Sequence, residues 1–251
     1  MGKVIIFVLF ILSIIVIYSC AKKKKVDKII EVTKINDTPL TYKLPDINTI
    51  GNVSLEEVLN KRRSRRHFIN RKVSIQNISQ ILWAAYGITQ LAPDEPYIYG
   101  GYRTTPSAGV VYPLKIYLLA GNVKDIESGI YKFDPIERTI IRVVNSDVRT
   151  DLAVAAINQE MIQKAPASII ICAVSEKMIK RYGERGLNRF IPMEAGHASQ
   201  NIYLQVEALH MGTCTVGAFI DDDVKKVMEL PENENPLYIM PVGYYFRNFM
   251  K

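Results

Sequence analysis

The chain has 251 residues, 48% hydrophobic and 23% charged, with a formal net charge of +7. Its length suits one large domain or two small ones with a sizeable core. Five of the seven excess charges are Lys3 and Lys22 to Lys25; the rest carries +2 and no basic stripe interleaved with aromatics, so nothing argues for a nucleic-acid partner.

Residues 4–18 form an apolar run after Lys3, shorter than the roughly 20 residues of a transmembrane helix and suited to a secretory h-region. It ends at Ser19-Cys20. An apolar run, a small residue and a cysteine resembles the lipobox of bacterial lipoproteins, with Cys20 lipidated and the body outside the cytoplasm at a membrane. Tyr18 is bulkier than that motif prefers. The alternative is an N-terminal anchor, with Lys22 to Lys25 keeping the body on the cytoplasmic side. Residues 21–50, Lys-rich and then polar with Pro39 and Pro45, read as a tether. The folded body is expected over 51–251.

Ser54 to Lys61 predicts a helix, with Ser54 as N-cap, Glu57 at capping-box spacing and Leu55, Val58 and Leu59 as its stripe. Ser74 to Tyr86 predicts a second, ended by Gly87, with Trp83 in the core. Residues 88–112 read as a long loop. Strands follow at 114–120, 129–133 and 139–144. A helix is expected at 148–164, a buried strand at 167–174, a short helix at 175–182 and a loop at 183–192. Met193 to Met211 is apolar nearly all round and predicts a helix buried in a core or an obligate dimer interface. A strand at 213–218, a helix at 221–228 capped by Asp221 and a final strand at 237–245 complete the body. Cys172 lies in the apolar run Ile169–Val174 and Cys214 in Gly212-Thr-Cys-Thr-Val-Gly217, and both read as small buried hydrophobes. His67, His197 and His210 carry no metal-ligand pattern.

Four arginines stand within five residues in Arg62-Arg63-Ser64-Arg65-Arg66. Such a run is either a solvated basic face or a site for an anion, since clustered guanidinium is costly without one and suits a phosphate's paired acceptors. The partly negative C-terminus of the preceding helix helps hold the arginines there. Pro106-Ser107-Ala108-Gly109 lets backbone approach a planar ligand closely, and is otherwise a plain turn. Gly217-Ala218-Phe219 repeats that logic at another strand end.

Arg62-Arg-Ser-x-Arg-x-Phe68, Arg103-x-x-Pro-Ser-Ala-Gly-x-x-Tyr-Pro113, Glu194-Ala-Gly-His-x-x-Gln-Asn201 and Val216-Gly-Ala-Phe219 occur in this order. Together they resemble the nitroreductase superfamily of FMN-dependent oxidoreductases, nearest its SagB/ThcOx-type dehydrogenase branch, over about residues 52–246. The resemblance implies an α+β fold: a mixed, mainly antiparallel sheet flanked by helices, in an intertwined homodimer with FMN at the interface. It implies that Arg62 and Ser64 contact the FMN phosphate or the pyrimidine edge, and that Arg63 and Arg66 complete that cluster. Pro106, Ser107, Ala108 and Gly109 would line the ring from the same or the partner subunit, and Gly217 and Ala218 would lie near the N5 edge. Asn201 is either a cofactor contact or a core polar group, and His197 is expected in the core.

Two departures stand out. Many relatives end the last strand in Gly-Arg, where this chain has Gly243-Tyr-Tyr-Phe-Arg247; Arg247 would replace that contact from a shifted position, or the Arg62–Arg66 cluster would serve alone. Azoline dehydrogenases of the SagB branch carry Lys-Tyr where this chain has Arg181-Tyr182, and an arginine is a poor proton acceptor. Tyr182 is the remaining general acid, or simply closes its helix. The expected function is hydride transfer between NAD(P)H and a small planar acceptor. The alternatives are oxygen-dependent oxidation of peptide azolines and ligand binding without turnover.

Overall fold

The computed structural model describes residues 39–246 apart from 96, 97 and 99. The lipidation candidate Cys20, the apolar run at 4–18 and Arg247 lie outside these residues. No helix among the described residues is long and apolar enough to cross a membrane.

Nine strands form among the described residues: β1 (Thr41–Lys43), β2 (Ile88–Gln90), β3 (Tyr102–Arg103), β4 (Leu114–Ala120), β5 (Gly129–Asp134), β6 (Thr139–Val144), β7 (Ala167–Val174), β8 (Gly212–Thr213) and β9 (Glu234–Gly243). Seven build one sheet in the order β1-β6-β5-β4-β7-β9-β8, and β2 pairs with β3. The named strands pair antiparallel. Isolated parallel bridges join Ser64 to Thr213 and Val73 to Val123. The α+β expectation of a mainly antiparallel sheet flanked by helices holds.

The described residues also form seven α-helices: α1 (Leu55–Lys61), α2 (Ile75–Tyr86), α3 (Arg149–Ala155), α4 (Glu160–Lys164), α5 (Glu176–Tyr182), α6 (Ile191–Ala208) and α7 (Asp221–Met228). Because side chains alternate across a strand, the central strands serve two cores. Ile116, Leu118, Ile169 and Ile171 meet Ile78, Leu82, Ala195 and Ile202 of α2 and α6. Tyr117, Leu119, Ile170 and Cys172 meet Leu152, Ile162, Val224 and Met228 of α3, α4 and α7. Burial on both faces is why β7 reads as an unbroken apolar run. Cys172 is fully buried, which pushes its thiol pKa well up.

The caps follow the sequence. Ser54 Oγ accepts the Glu57 N–H, and Ser74 Oγ accepts the Asn77 N–H, each at 3.1 Å. Gly87 closes α2 in extended conformation, with its N–H on Trp83 O at 2.7 Å. Glycine is required there because a Cβ would sit 2.3 Å from Trp83 Cδ1. Trp83 itself is half-buried, its Nε1 donating to Ile88 O at 3.2 Å.

Several expectations need correction. The body begins near Leu40 and not at 51. Thr41–Lys43 pairs with β6, and Leu44 is buried, so ladder bonds and one apolar anchor recruit the end of the supposed tether. The expected helix 148–164 is two helices, broken where Ile157 and Asn158 adopt φ of 57°. That reversal lets Leu152 and Ile162 enter the same core. The expected loop 183–192 contains a π-helical turn, Gly186–Phe190, running directly into α6. The strand expected at 213–218 is only Gly212–Thr213 plus one bridge from Val216 to Ile239. α7 follows Ile220 with no side-chain cap, so Asp221 does not cap it. His197 is exposed on α6, because Ala195, Ala198 and Ile202 define the buried face.

Ser74→Ala removes the α2 cap and should cost about 1 kcal/mol. For a chain of this size that lowers the melting temperature by roughly 2–4 °C; calorimetry or circular dichroism would measure it.

Candidate active site

The arginine stretch leaves α1 and crosses the end of the sheet as extended chain. Arg65 N donates to Thr213 O at 2.8 Å and Ile69 N donates to Tyr244 O at 2.9 Å, stitching the segment to the ends of β8 and β9. This fixes where each guanidinium starts. Ser64 Oγ and Tyr203 Oη are hydrogen-bonded at 3.1 Å, and the same Tyr203 oxygen accepts the Thr215 N–H at 2.8 Å. The Arg62 guanidinium lies over the Tyr203 ring, 5.3 Å from its centroid. Arg65, which sequence reasoning passed over, is half-buried against the Tyr245 ring at 4.6 Å. Three buried atoms of this neighbourhood, Arg65 Nε, Thr213 Oγ1 and Thr215 Oγ1, have no hydrogen-bond partner among the described residues. Buried polar groups are normally satisfied, so orphans gathered beside Ser64 mark a place where something polar belongs.

Two predicted members of the cluster behave otherwise. Arg63 Nη1 turns back onto Asn60 O at 3.0 Å and Arg62 O at 2.8 Å, capping the C-terminal carbonyls of α1. That is the helix-dipole role. Arg66 is exposed and has no hydrogen bond or ion pair among the described residues, leaving it available at the rim.

The second group forms around the Pro106–Gly109 loop. Ser107 Oγ donates to Glu194 Oε2 at 2.6 Å, and Tyr86 Oη donates to Glu194 Oε1 at 2.5 Å. Ser107 Oγ also accepts the Tyr112 N–H at 2.9 Å. The Arg103 guanidinium stacks on the Tyr86 and Tyr112 rings, 4.6 and 4.7 Å from their centroids. Ala108–Val110 makes a short 3-10 turn in which Gly109 has φ of 60°. A Cβ at Gly109 would lie 2.3 Å from Tyr182 Oη, so the structure brings Tyr182 directly against the loop. Arg181 Nη1 donates to Gly109 O at 2.8 Å. Pro106 is exposed beside them.

α6 joins the groups. Glu194 in its first turn holds Ser107, and Tyr203 nine residues later holds Ser64, a separation of about 13 Å along the axis. Between them Asn201 Nδ2 donates to Thr104 O at 3.2 Å and Thr105 Oγ1 at 3.1 Å. That bond ties the loop's approach to α6 and supports the structural reading of Asn201. Gly217 and Ala218 are exposed beyond Thr215, where Gln159 Nε2 fixes the Ala218 carbonyl at 3.0 Å. Glu194 and Arg103 each open one of the motifs quoted from the sequence, which is the signal that could have found them; Tyr86 and Tyr203 offered no comparable signal.

The profile of the Nitroreductase family matches residues 59–244, which hold both groups. The chain belongs to the nitroreductase family. It is 42% identical over 204 residues to a nitroreductase homologue of Methanocaldococcus jannaschii, covering 81% of this chain and 96% of that protein. A nitroreductase homologue of Ralstonia eutropha JMP134 matches the structure with a TM-score of 0.70 at 22% identity, over 85% of this chain and 93% of that one. A chain of the Escherichia coli microcin synthetase McbBCD complex with truncated pro-MccB17 matches at 0.60 and 22%, over 84% and 80%. The NADPH:FMN oxidoreductase of Vibrio harveyi complexed with NAD+ matches at 0.53 and 18%, over 77% and 69%. At such identities the three structures establish the shared fold.

In this family member Glu194 is a tightly constrained ionisable group of the site. Burial raises its carboxyl pKa, offset in part by the Ser107 and Tyr86 hydrogen bonds and by Arg103. The native state therefore holds this proton to higher pH than the unfolded chain does. Its contribution to stability is largest below the ordinary glutamate pKa and falls as pH rises through the raised folded value. Glu194→Gln removes that decline. Chemical denaturation of both proteins across this window should show a negative slope for wild type relative to the variant; parallel profiles would contradict the assignment.

Proposed function

We propose that this member of the nitroreductase family is an FMN-dependent oxidoreductase that passes hydride between NAD(P)H and a small planar acceptor. The observation that carries the reading is the cluster of orphaned buried polar atoms beside Ser64 and Arg62. An FMN phosphate needs charged and hydroxyl donors in a fixed fork, and Arg62, Ser64 and Arg65 fit that need with Arg66 at the rim. Arg65 Nε and the two threonine hydroxyls would gain the partners they lack. Pro106–Gly109 and Gly217-Ala218 present backbone and small side chains to a flat ring. When bound, the flavin supplies the two-electron chemistry that no side chain here can.

The protein's own contribution is positioning. Glu194 takes the Ser107 hydroxyl proton into its hydrogen bond and, with Tyr86, stops the loop from rotating. Tyr182 Oη, packed against Gly109, is placed to hold or donate a proton at the edge of the loop. Arg181 grips the Gly109 carbonyl through its guanidinium and holds the loop. A lysine-like base is absent at that position, which disfavours peptide-azoline oxidation.

We also propose a homodimer. Leu55 and Leu59 of α1 and Met193 of α6 are half or more exposed at 58%, 50% and 54%, an apolar exposure that a second copy would cover.

Arg62→Ala combined with Arg65→Ala should release the flavin, so that the purified double variant loses its visible absorption while keeping its far-ultraviolet circular dichroism. Anaerobic NADH and NADPH titrations of the wild type should bleach the flavin with one or both donors. A chain that retains full flavin in the double variant would remove the phosphate assignment. A loaded chain that neither nicotinamide reduces would remove the donor.

A further inference from the structure

A pocket with a cavity volume of about 220 Å³ is lined by Arg103, Tyr112, Lys115, Lys132, Asp134 and Lys177 among others. Four of these side chains are cations. The acids nearby are already engaged. Glu234, buried at 3% exposure, pairs with Lys132 at 2.5 Å and accepts Tyr117 Oη at 2.6 Å. Asp134 Oδ1 accepts the backbone N–H groups of Ile136 and Glu137 at 2.8 and 3.1 Å. Lys115 is half-buried with no hydrogen bond or ion pair among the described residues. Burial first, and then the charge of Lys132, lowers its pKa; Glu234 offsets this in part, while Arg103 and Lys177 add to it. Arg103 donates one bond, Nη1 to Tyr86 O at 3.3 Å, and its buried Nε has no partner.

A half-buried cation without an ion pair is costly, which describes Lys115, and Arg103 beside it is only partly offset by the charges of Glu194 and Asp134, so one anion between them would offset both. We propose that this pocket binds a small oxyanion, a carboxylate or inorganic phosphate, through Lys115 and Arg103. The size points the same way, since drug-sized ligands take pockets of roughly 300–1,000 Å³. The site is wired to the loop: Arg103 stacks on Tyr86 and Tyr112, which bond Glu194 and Ser107 respectively. None of the pocket's residues belongs to the Arg62–Arg65 phosphate group, although Arg103 and Tyr112 border the Pro106–Gly109 loop.

The test is calorimetric titration of the purified full chain with succinate and with inorganic phosphate in low-chloride buffer, with thermal melting in parallel. The expected result is saturable binding of at least one probe, weakened about tenfold or more by Lys115→Met. Lys177→Gln, at an exposed residue, should weaken it less, and Arg65→Ala should leave it unchanged. Without anion, Lys115→Met should melt at or above the wild-type temperature, because an unpaired half-buried charge is gone. Binding of neither probe, equal affinity in Lys115→Met, or loss of binding in Arg65→Ala would each overturn the proposal. Succinate binding alone would assign a carboxylate, and phosphate binding alone a phosphate.

Discussion

A carboxylate taken out of water must find donors, and most of the site depends on how Glu194 finds them. It receives Ser107 from the loop and Tyr86 from the end of α2, while Arg103 supplies charge nearby. Three separate pieces of chain converge on one buried side chain because leaving it unsatisfied would cost several kcal/mol. The loop that Gly109 lets pass under Tyr182 thereby acquires one shape. A neutral residue at position 194 would fill the space without demanding that convergence.

The same helix organises the other half. α6 lies against the sheet through Ala195, Ala198, Ile202 and Val206, which fixes its rotation. Rotation then decides that Glu194 looks to the loop and Tyr203 to Ser64. The arginine segment is held by backbone bonds to Thr213 and Tyr244 rather than by its charges. Its guanidinium groups are accordingly free to stack on Tyr203 and Tyr245 and to await an anion. Packing sets the frame, buried polar bonds set the loop, and the remaining unsatisfied donors define what the frame is for.

Local signals carried much of this in the sequence. Serine caps at 54 and 74, the apolar run of β7 and the alternating strands around it needed only neighbouring residues to be read. The motifs pointed to Ser64, to the Pro106–Gly109 loop and to Tyr182, and the fold joins the last two in direct contact. What stayed hidden was non-local. Thr41–Lys43 becomes a strand only because β6 offers an edge. The break at Ile157 and Asn158 serves two helices sharing one core. Arg63 and Arg65 are chemically alike, and only the fold turns one back to α1 and buries the other beside Thr213. Arg103 and Lys115 lie twelve residues apart on strands of different sheets, and only the fold makes them line a common pocket.

The account rests on the claim that the Arg62–Ser64–Arg65 group and the Pro106–Gly109 loop together hold a flavin mononucleotide. The visible absorption spectrum of the purified full chain tests it, followed by denaturation and identification of the released chromophore. The expected result is a flavin band near one equivalent per chain, released as FMN. A colourless protein that takes up no added FMN would contradict the account.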